Sequence, residues 1–363
     1  MKKILYIVIV LLFIGGFLVF NEGIFFVDPS SSKKNNSFVN DEWENVGFLA
    51  SWMIGKTRLY EEEIDKLIFS GVEIDSQGNL IWDSQSNKIF DKDYLQQKEK
   101  IKEGGGENIL GIKLFKDEEL DLLLENKEAR QNLIKEVKKV IRKNDFDGIN
   151  IDFEYQSDPK LILDNKFIVF LEELKDVEVG EVSVDVFVNT INKGNKEELE
   201  ELLKNIDQLM VMAYDFHRPG SDFAGSVAPI RASLGERSIW EVVKKMVDLE
   251  LDKDKIVLAY PLYGYEWKTI NEEYGSRVEE GSCQMVSWQR SKELIEEKNL
   301  EEKWNELTMS PWLVYKENDE IYQVYYENEK SLGIKVQLAR DNQFVGVAWW
   351  SLGYEGKENL FDY

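Results

Sequence analysis

The stretch FDGINIDFEY (residues 146–155) sets four acids or amides among apolar residues. Side chains alternate between the two faces of a β-strand, so Ile149, Ile151 and Phe153 share one face while Asn150, Asp152 and Glu154 share the other. A strand of a parallel sheet is ordinarily apolar on both faces, because helices or a packed interior cover it. Unpaired charge buried there is heavily penalised. A row of one amide and two carboxylates is thus a surface or a site, and the flanking segments decide which.

Outward from this stretch, short β-rich runs alternate with stretches of helical periodicity. Strands are expected at VGFLASW (46–52), LIFSGVEI (67–74), ILGIKLF (109–115), the quoted stretch, VSVDVFV (182–188), DQLMVMAYD (207–215), KIVLAYPLYG (255–264) and FVGVAWWSL (344–352). A charged helix is expected from about Asp117 to Lys143, with others at PKLILDNKFIVFLEELKDV and IWEVVKKMVDLEL. Eight strands alternating with helices predict an α/β fold, a closed parallel (β/α)8 TIM barrel, rather than an open doubly wound sheet. No glycine-rich phosphate loop follows any strand, which argues against a dinucleotide fold. Between the seventh and eighth strands, about residues 265–343, lie a helix (SWQRSKELIEEK), two strands (SPWLVYK and EIYQVYYE) and another helix (NEKSLGIKVQLARD). This small α+β insertion is expected to wall a cleft at the C-terminal face.

In such a barrel the polar face of the fourth strand points inward. Glu154 reaches the C-terminal mouth, and Asp152 sits one pleat below it, roughly 7 Å along the strand. Two carboxylates this close cannot both ionise freely, so one is held protonated, as general-acid work near neutral pH requires. The alternative, a polar network that only braces the barrel, fits less well because three inward polar residues are costly in a packed interior.

The 363 residues, 43% of them hydrophobic, suffice for one large domain or two ordinary ones. The 45 basic and 69 acidic residues give a net charge of −24, which repels phosphate backbones and argues against nucleic acid as a partner. Cys283 is the only cysteine and His217 the only histidine, which argues against a disulfide framework, a thiolate or multi-histidine metal site and a Ser-His-Asp triad. Chemistry must rest on carboxylates, hydroxyls and aromatics, and a monomer is expected. At the N-terminus, Lys2 and Lys3 precede ILYIVIVLLFIGGFLVF (4–20), a run at the lower edge of bilayer-spanning length with no clear small-x-small cleavage site after it. The expectation is a signal anchor over residues 1–24 and a linker over 25–43, with the barrel from 44 to 363 outside the cytoplasmic membrane; a cleaved signal peptide is the alternative.

The residues also carry a resemblance. DGINIDFE (147–154) resembles the strand-four signature of glycoside hydrolase family 18, the chitinase-like barrels, in which the pattern is Asp-Gly-x-Asp-x-Asp-x-Glu. MAYD (212–215) resembles that family's Met-x-Tyr-Asp, PLYGYEW (261–267) its Pro-x-Tyr-Gly element, and Trp350 in GVAWWSLG (346–353) the tryptophan that floors the sugar site. The four motifs stand in family order across residues 44–354. The stretch from SPWLVYK to WWSLG is similar to the branch typified by spore-cortex and cell-wall N-acetylglucosaminidases. Asn150, a departure from the chitinases, agrees with that branch; no LysM-like repeat, common there, is visible, and the third strand lacks the Ser-x-Gly-Gly of chitinases.

The resemblance implies retaining hydrolysis of β-1,4 linkages in N-acetylglucosamine-containing glycans of peptidoglycan type, assisted by the substrate's own 2-acetamido group, with no metal or organic cofactor. Glu154 would protonate the leaving oxygen and later help activate water, Asp152 would orient the acetamido group, and Tyr214 with Asp215 would hydrogen-bond it. Trp350 would form the platform under the sugar, with Asn150, Tyr263 and Trp52 on the substrate side. Asp147, of opposite parity, is given a structural place at the strand start. Asn150 cannot carry a proton, so a shifted pH optimum is expected. Trp52 and Trp267 are placed to stack on sugars or to pack, Trp349 faces the outer helices, and His217 has a surface or hydrogen-bonding role. The alternatives are a chitinase or chitooligosaccharidase, and a non-catalytic chitinase-like glycan-binding protein; the presence of Glu154 favours turnover.

Overall fold

In a computed structural model of the chain, which describes residues 43–361 with Leu234 excepted, eight parallel strands close into a ring. They are β1 (Glu44–Ala50), β2 (Lys66–Ile74), β4 (Glu107–Leu114), β5 (Gly148–Phe153), β6 (Glu181–Phe187), β7 (Gln208–Met212), β8 (Ile256–Pro261) and β14 (Gly346–Trp350). Each pairs in parallel with its neighbours, and β1 closes the ring by pairing with both β14 and β2. The two-residue β3 (Leu80–Ile81) runs antiparallel at the end of β2. All eight predicted barrel strands are present, and the chain is a (β/α)8 barrel.

The ends of the elements carry the differences. The predicted sixth strand stops at Met212 because Asp215 turns into the left-handed region, at φ 58°. The predicted seventh strand divides: β8 ends at Pro261, and Tyr263 already opens β9 (Tyr263–Thr269) of a second sheet. The charged helix after β4 is two helices, α2 (Asp117–Glu125) and α3 (Lys127–Asn144), following α1 (Lys92–Glu103). The break falls at Asn126, whose side chain accepts hydrogen bonds from the backbone of Glu128 (2.9 Å) and Ala129 (3.4 Å) and caps the second helix.

The insertion is larger in strands than expected. Its antiparallel sheet runs β10 (Gln284–Ser287), β9, β13 (Glu320–Tyr325), β12 (Ser310–Glu317), β11 (Lys303–Asn305), so five strands stand where two are predicted, with one helix at Trp288–Lys298. Its C-terminal bound also moves. The helix Glu329–Asp341, assigned above to the insertion, packs back on the barrel, where Tyr260 of β8 donates to the Lys335 carbonyl at 3.1 Å.

The barrel interior is layered, as alternation dictates. At the N-terminal end Lys66 lies 2.5 Å from Glu181, 3.0 Å from Glu44 and 4.0 Å from Glu107, and Gln208 donates to Glu44. Above this charged plug Val46, Ile68, Ile109, Met210, Val257 and Ala348 form an apolar layer. Polar residues then return at the C-terminal mouth. Outside the ring Ile149, Ile151 and Phe153 are buried, with Phe153 5.9 Å from Phe170 and 6.0 Å from Phe167 on the helix Asn165–Lys175. The quoted stretch is therefore apolar toward the helices and polar toward the interior.

Among the described residues no helix is long and apolar enough to cross a membrane. The anchor expected over residues 1–24 and all but Trp43 of the expected linker lie outside the described residues.

Candidate active site

A cavity of about 300 Å³ opens at the C-terminal mouth, and its lining includes Asp152, Glu154, Asp185, Tyr214, Asp215 and Trp350. Five of the six are residues singled out from sequence; Asp185 is not. Asp152 comes from β5, and Glu154 follows the strand end, its backbone N–H donating to the Leu114 carbonyl at 3.1 Å. The glycine of the DGINIDFE motif has a steric reason: a Cβ on Gly148 would lie 2.4 Å from the Glu181 carbonyl oxygen. Asn150, 1% exposed, lies one pleat below Asp152 and donates to Asp185 Oδ1 at 2.7 Å and to Ser183 Oγ at 3.1 Å.

The carboxyl groups share one buried space, and it governs their protonation. Burial, then the charges of Asp185 and Glu154, push the Asp152 carboxyl well above the usual carboxylate range, against the pull of Lys113. Burial likewise raises Glu154, while hydrogen bonds from Gln156 (2.7 Å) and from Asp152 favour its ionised form and Asp215 opposes it. The contact between the two pushes Asp152 up and Glu154 down, which favours the proton on Asp152. Asp185, 4% exposed, is pushed up to about 8, by burial first.

Asp215 is clamped. Tyr263 donates to its Oδ1 at 2.5 Å and Tyr265 to the same oxygen at 3.0 Å; both tyrosines belong to β9, so the insertion sheet enters the site through its first strand. Burial raises the Asp215 carboxyl, and the two phenols work against that rise. Tyr214 meets Tyr263 edge to face at 6.2 Å. Burial first, then the surrounding carboxylates of Asp185, Asp152, Asp215 and Glu154, hold its phenol far above the usual value, so it remains a neutral donor.

Trp350 lies at the end of β14, with Phe48 5.7 Å and Trp52 6.2 Å away in edge contacts. Trp52 is 37% exposed on the rim, whereas Trp267 is 1% exposed and packs between Tyr265 and Tyr325, so of the two only Trp52 is open to a sugar. Trp349 is buried toward Tyr260 and Phe361, on the helix side. His217 contacts the Ser226 carbonyl oxygen at 3.0 Å, and Asp147 accepts from the Asn108 backbone at 2.8 Å, tying β5 to β4 at the far end of the barrel. Three cations also line the cavity, Lys113, Arg218 and Arg237, in a chain of net charge −24. Among the described residues no group of histidine, cysteine, aspartate and glutamate is arranged to hold a metal ion.

Asp185 and Lys113 both had a signal. In VSVDVFV, Asp185 shares parity with Ser183, so an acid in a buried strand faces the interior; in ILGIKLF, Lys113 is likewise a charge within a strand and pairs in register with Asp152. The clamp of Tyr265 on Asp215 depends on where β9 leaves the barrel and has no local signature.

This constellation on this fold defines a class. A family model for the glycosyl hydrolases family 18 matches residues 42–355, and the chain belongs to that family. An uncharacterized glycosylase of Bacillus subtilis, YvbX, is 26% identical over 246 residues, 65% of this chain and 65% of that protein, so the match spans just under two thirds of the relative's length. Among solved structures, a family 18 chitinase of Cycas revoluta in complex with (GlcNAc)4 superposes with a TM-score of 0.74 at 19% identity, covering 86% of this chain and 96% of that one. The spore cortex-lytic enzyme SleL of Bacillus megaterium gives 0.68 at 19% identity, covering 88% and 72%.

Proposed function

We propose that the protein is a retaining glycosidase that cleaves β-1,4 linkages of peptidoglycan-type glycans, outside the cytoplasmic membrane and held there by its N-terminal apolar segment. One observation carries the reading: two partly buried carboxyls, Asp152 at the end of β5 and Glu154 just past it, line one cavity with Tyr214 and Trp350.

The arrangement suits a substrate that brings its own nucleophile. Glu154, receiving the proton from Asp152, delivers it to the glycosidic oxygen. As the C–O bond breaks, the substrate's acetamido oxygen bonds to C1 and a cyclic oxazolinium forms. Asp152, now ionised, accepts the acetamido N–H and balances the positive charge, while Tyr214 donates to the acetamido oxygen. Water then attacks C1, Glu154 takes its proton, the ring opens, and the sugar leaves with its configuration retained.

The cations favour an anionic glycan. Chitin carries no charge, whereas peptidoglycan carries the carboxylates of its stem peptides, or the free lactyl carboxylate where a stem is absent, and Lys113, Arg218 and Arg237 give this cavity the positive groups such a chain would meet. The cortex-lytic neighbour supports the same direction. The second reading, a chitooligosaccharidase, is favoured by the aromatic floor and by the chitinase neighbour. The test is incubation of the full-length chain, purified in mild detergent, with purified peptidoglycan and separately with chitooligosaccharides, products being identified by mass spectrometry. Muropeptides with a new N-acetylglucosamine reducing end are expected. Cleavage of chitooligosaccharides alone would move the assignment to the second reading, and binding without cleavage of either would make the protein a glycan-binding relative.

A further inference from the structure

The Asn150–Asp185 pair does something the assigned roles leave unexplained. The sequence places an amide where the chitinase pattern has its middle aspartate, so the fourth barrel strand lacks one ionisable group. The neighbouring strand supplies one: Asp185 stands at the inward parity of β6, 2.7 Å from the amide nitrogen of Asn150, nearly fully buried, and on the cavity wall. A carboxyl in so enclosed a place is costly unless something uses it. Asn150 spends its amide nitrogen on Asp185 and Ser183, both on β6, and so holds that carboxyl in place rather than meeting a group of its own strand.

We propose that Asp185 is a positioning residue that restores, from β6, the ionisable group missing at Asn150, and that its carboxyl, as it ionises at the alkaline edge of the working range, opposes loss of the proton from the Asp152–Glu154 pair. The inference rests on the glycosidase reading above. The groups that face Asp185 around the cavity are Asp152 and Glu154 from β5, Lys113 from β4, Tyr214, Asp215 and Arg218 from the end of β7 and its loop, and Arg237. The Asp185 charge pushes Asp152 up, and the Glu154 charge in turn pushes Asp185 up, so Asp185 is coupled to both carboxyls of the pair. An ionised Asp185 opposes their loss of the proton, so it sets the alkaline limit of activity.

The experiment compares four full-length chains: wild type, Asp185→Asn, Asn150→Asp and the swap Asn150→Asp/Asp185→Asn. Two readouts are taken, kcat/KM against pH and melting temperature against pH. Removing a like charge should move the alkaline limb of Asp185→Asn down by about one pH unit or more. The swap, which returns the carboxyl to β5, should bring the limb back toward wild type. A role in folding alone would lower the rate at every pH without moving the limb, and that result, or a swap no better than Asp185→Asn, overturns the proposal.

The melting curves need no turnover and separate this inference from the reading beneath it. A buried carboxyl whose protonated form persists to about pH 8 contributes stability at low pH that is lost as pH rises from about 4 toward 8. Asp185→Asn should therefore lose less stability than wild type over that interval. If no substrate is cut by any variant, the glycosidase reading fails. If in addition the two melting curves run parallel, Asp185 has no buried proton to hold and the inference fails separately.

Discussion

At the scale of single residues, the chemistry turns on which group holds a proton and which one offers a hydrogen bond. Tyr214 is a neutral donor surrounded by carboxyl groups. Deleting one preorganised donor to developing charge costs on the order of 10²–10³ in kcat. Tyr214→Phe should lose activity on that scale with KM nearly unchanged, measured by steady-state kinetics on the best substrate; an unchanged kcat would remove Tyr214 from the reaction. The alternation of FDGINIDFEY made Asp152 and Glu154 legible from the chain alone, because two acids on one face of a buried strand demand an explanation. Asp185 followed the same rule but stood alone in its strand, and its partner Asn150 is distant in sequence. Parity tells which way a side chain points; it does not tell which side chain it meets.

At the scale of elements, the insertion is part of the site. β9 begins two residues past Pro261, at the point where the chain leaves the barrel, and two of its first three residues clamp Asp215. Gly264 between them has no freedom to be larger, since a Cβ there would lie 1.8 Å from the Tyr325 carbonyl oxygen on β13. A hydrogen bond to a charged group is worth about 1.5–3 kcal/mol. Tyr265→Phe should leave Asp215 held by Tyr263 alone and lower kcat/KM by roughly ten- to a hundredfold, the equivalent of that bond energy; a wild-type value would show that the clamp does not shape the site. Sequence pattern located all eight barrel strands because alternation and apolar runs are local properties. It misjudged the insertion, where five short strands with half-exposed faces carry weaker periodicity, and it missed the break at Asn126, where one cap outweighs a continuous helical pattern.

At the scale of the whole molecule, the barrel separates stability from chemistry along its axis. Lys66 sits at the closed end among Glu44, Glu107 and Glu181, with an apolar layer between it and the cavity. Removing one partner from a buried charge cluster strands the rest, typically at a cost of about 3–5 kcal/mol. Lys66→Met should lower the melting temperature while the fraction that remains folded keeps the wild-type kcat. A large fall in kcat at full folding would show that the plug is coupled to the mouth. The net charge of −24 belongs to this scale too: exposed acids repel anionic polymers over most of the surface, and under the proposed function the cations of the cavity are where an anionic glycan would be received.

The central claim, that Glu154 passes a proton to a glycosidic oxygen while the substrate supplies the nucleophile, is tested most directly by Glu154→Gln beside wild type. The two are assayed on whichever glycan the wild type cuts, with the anomeric form of the first product followed by NMR. The account predicts initial release of the β-anomer by wild type and a loss of roughly 10²–10⁴ in rate for Glu154→Gln, with glycan binding retained. Release of the α-anomer, or a Glu154→Gln enzyme that cuts at the wild-type rate, would contradict it.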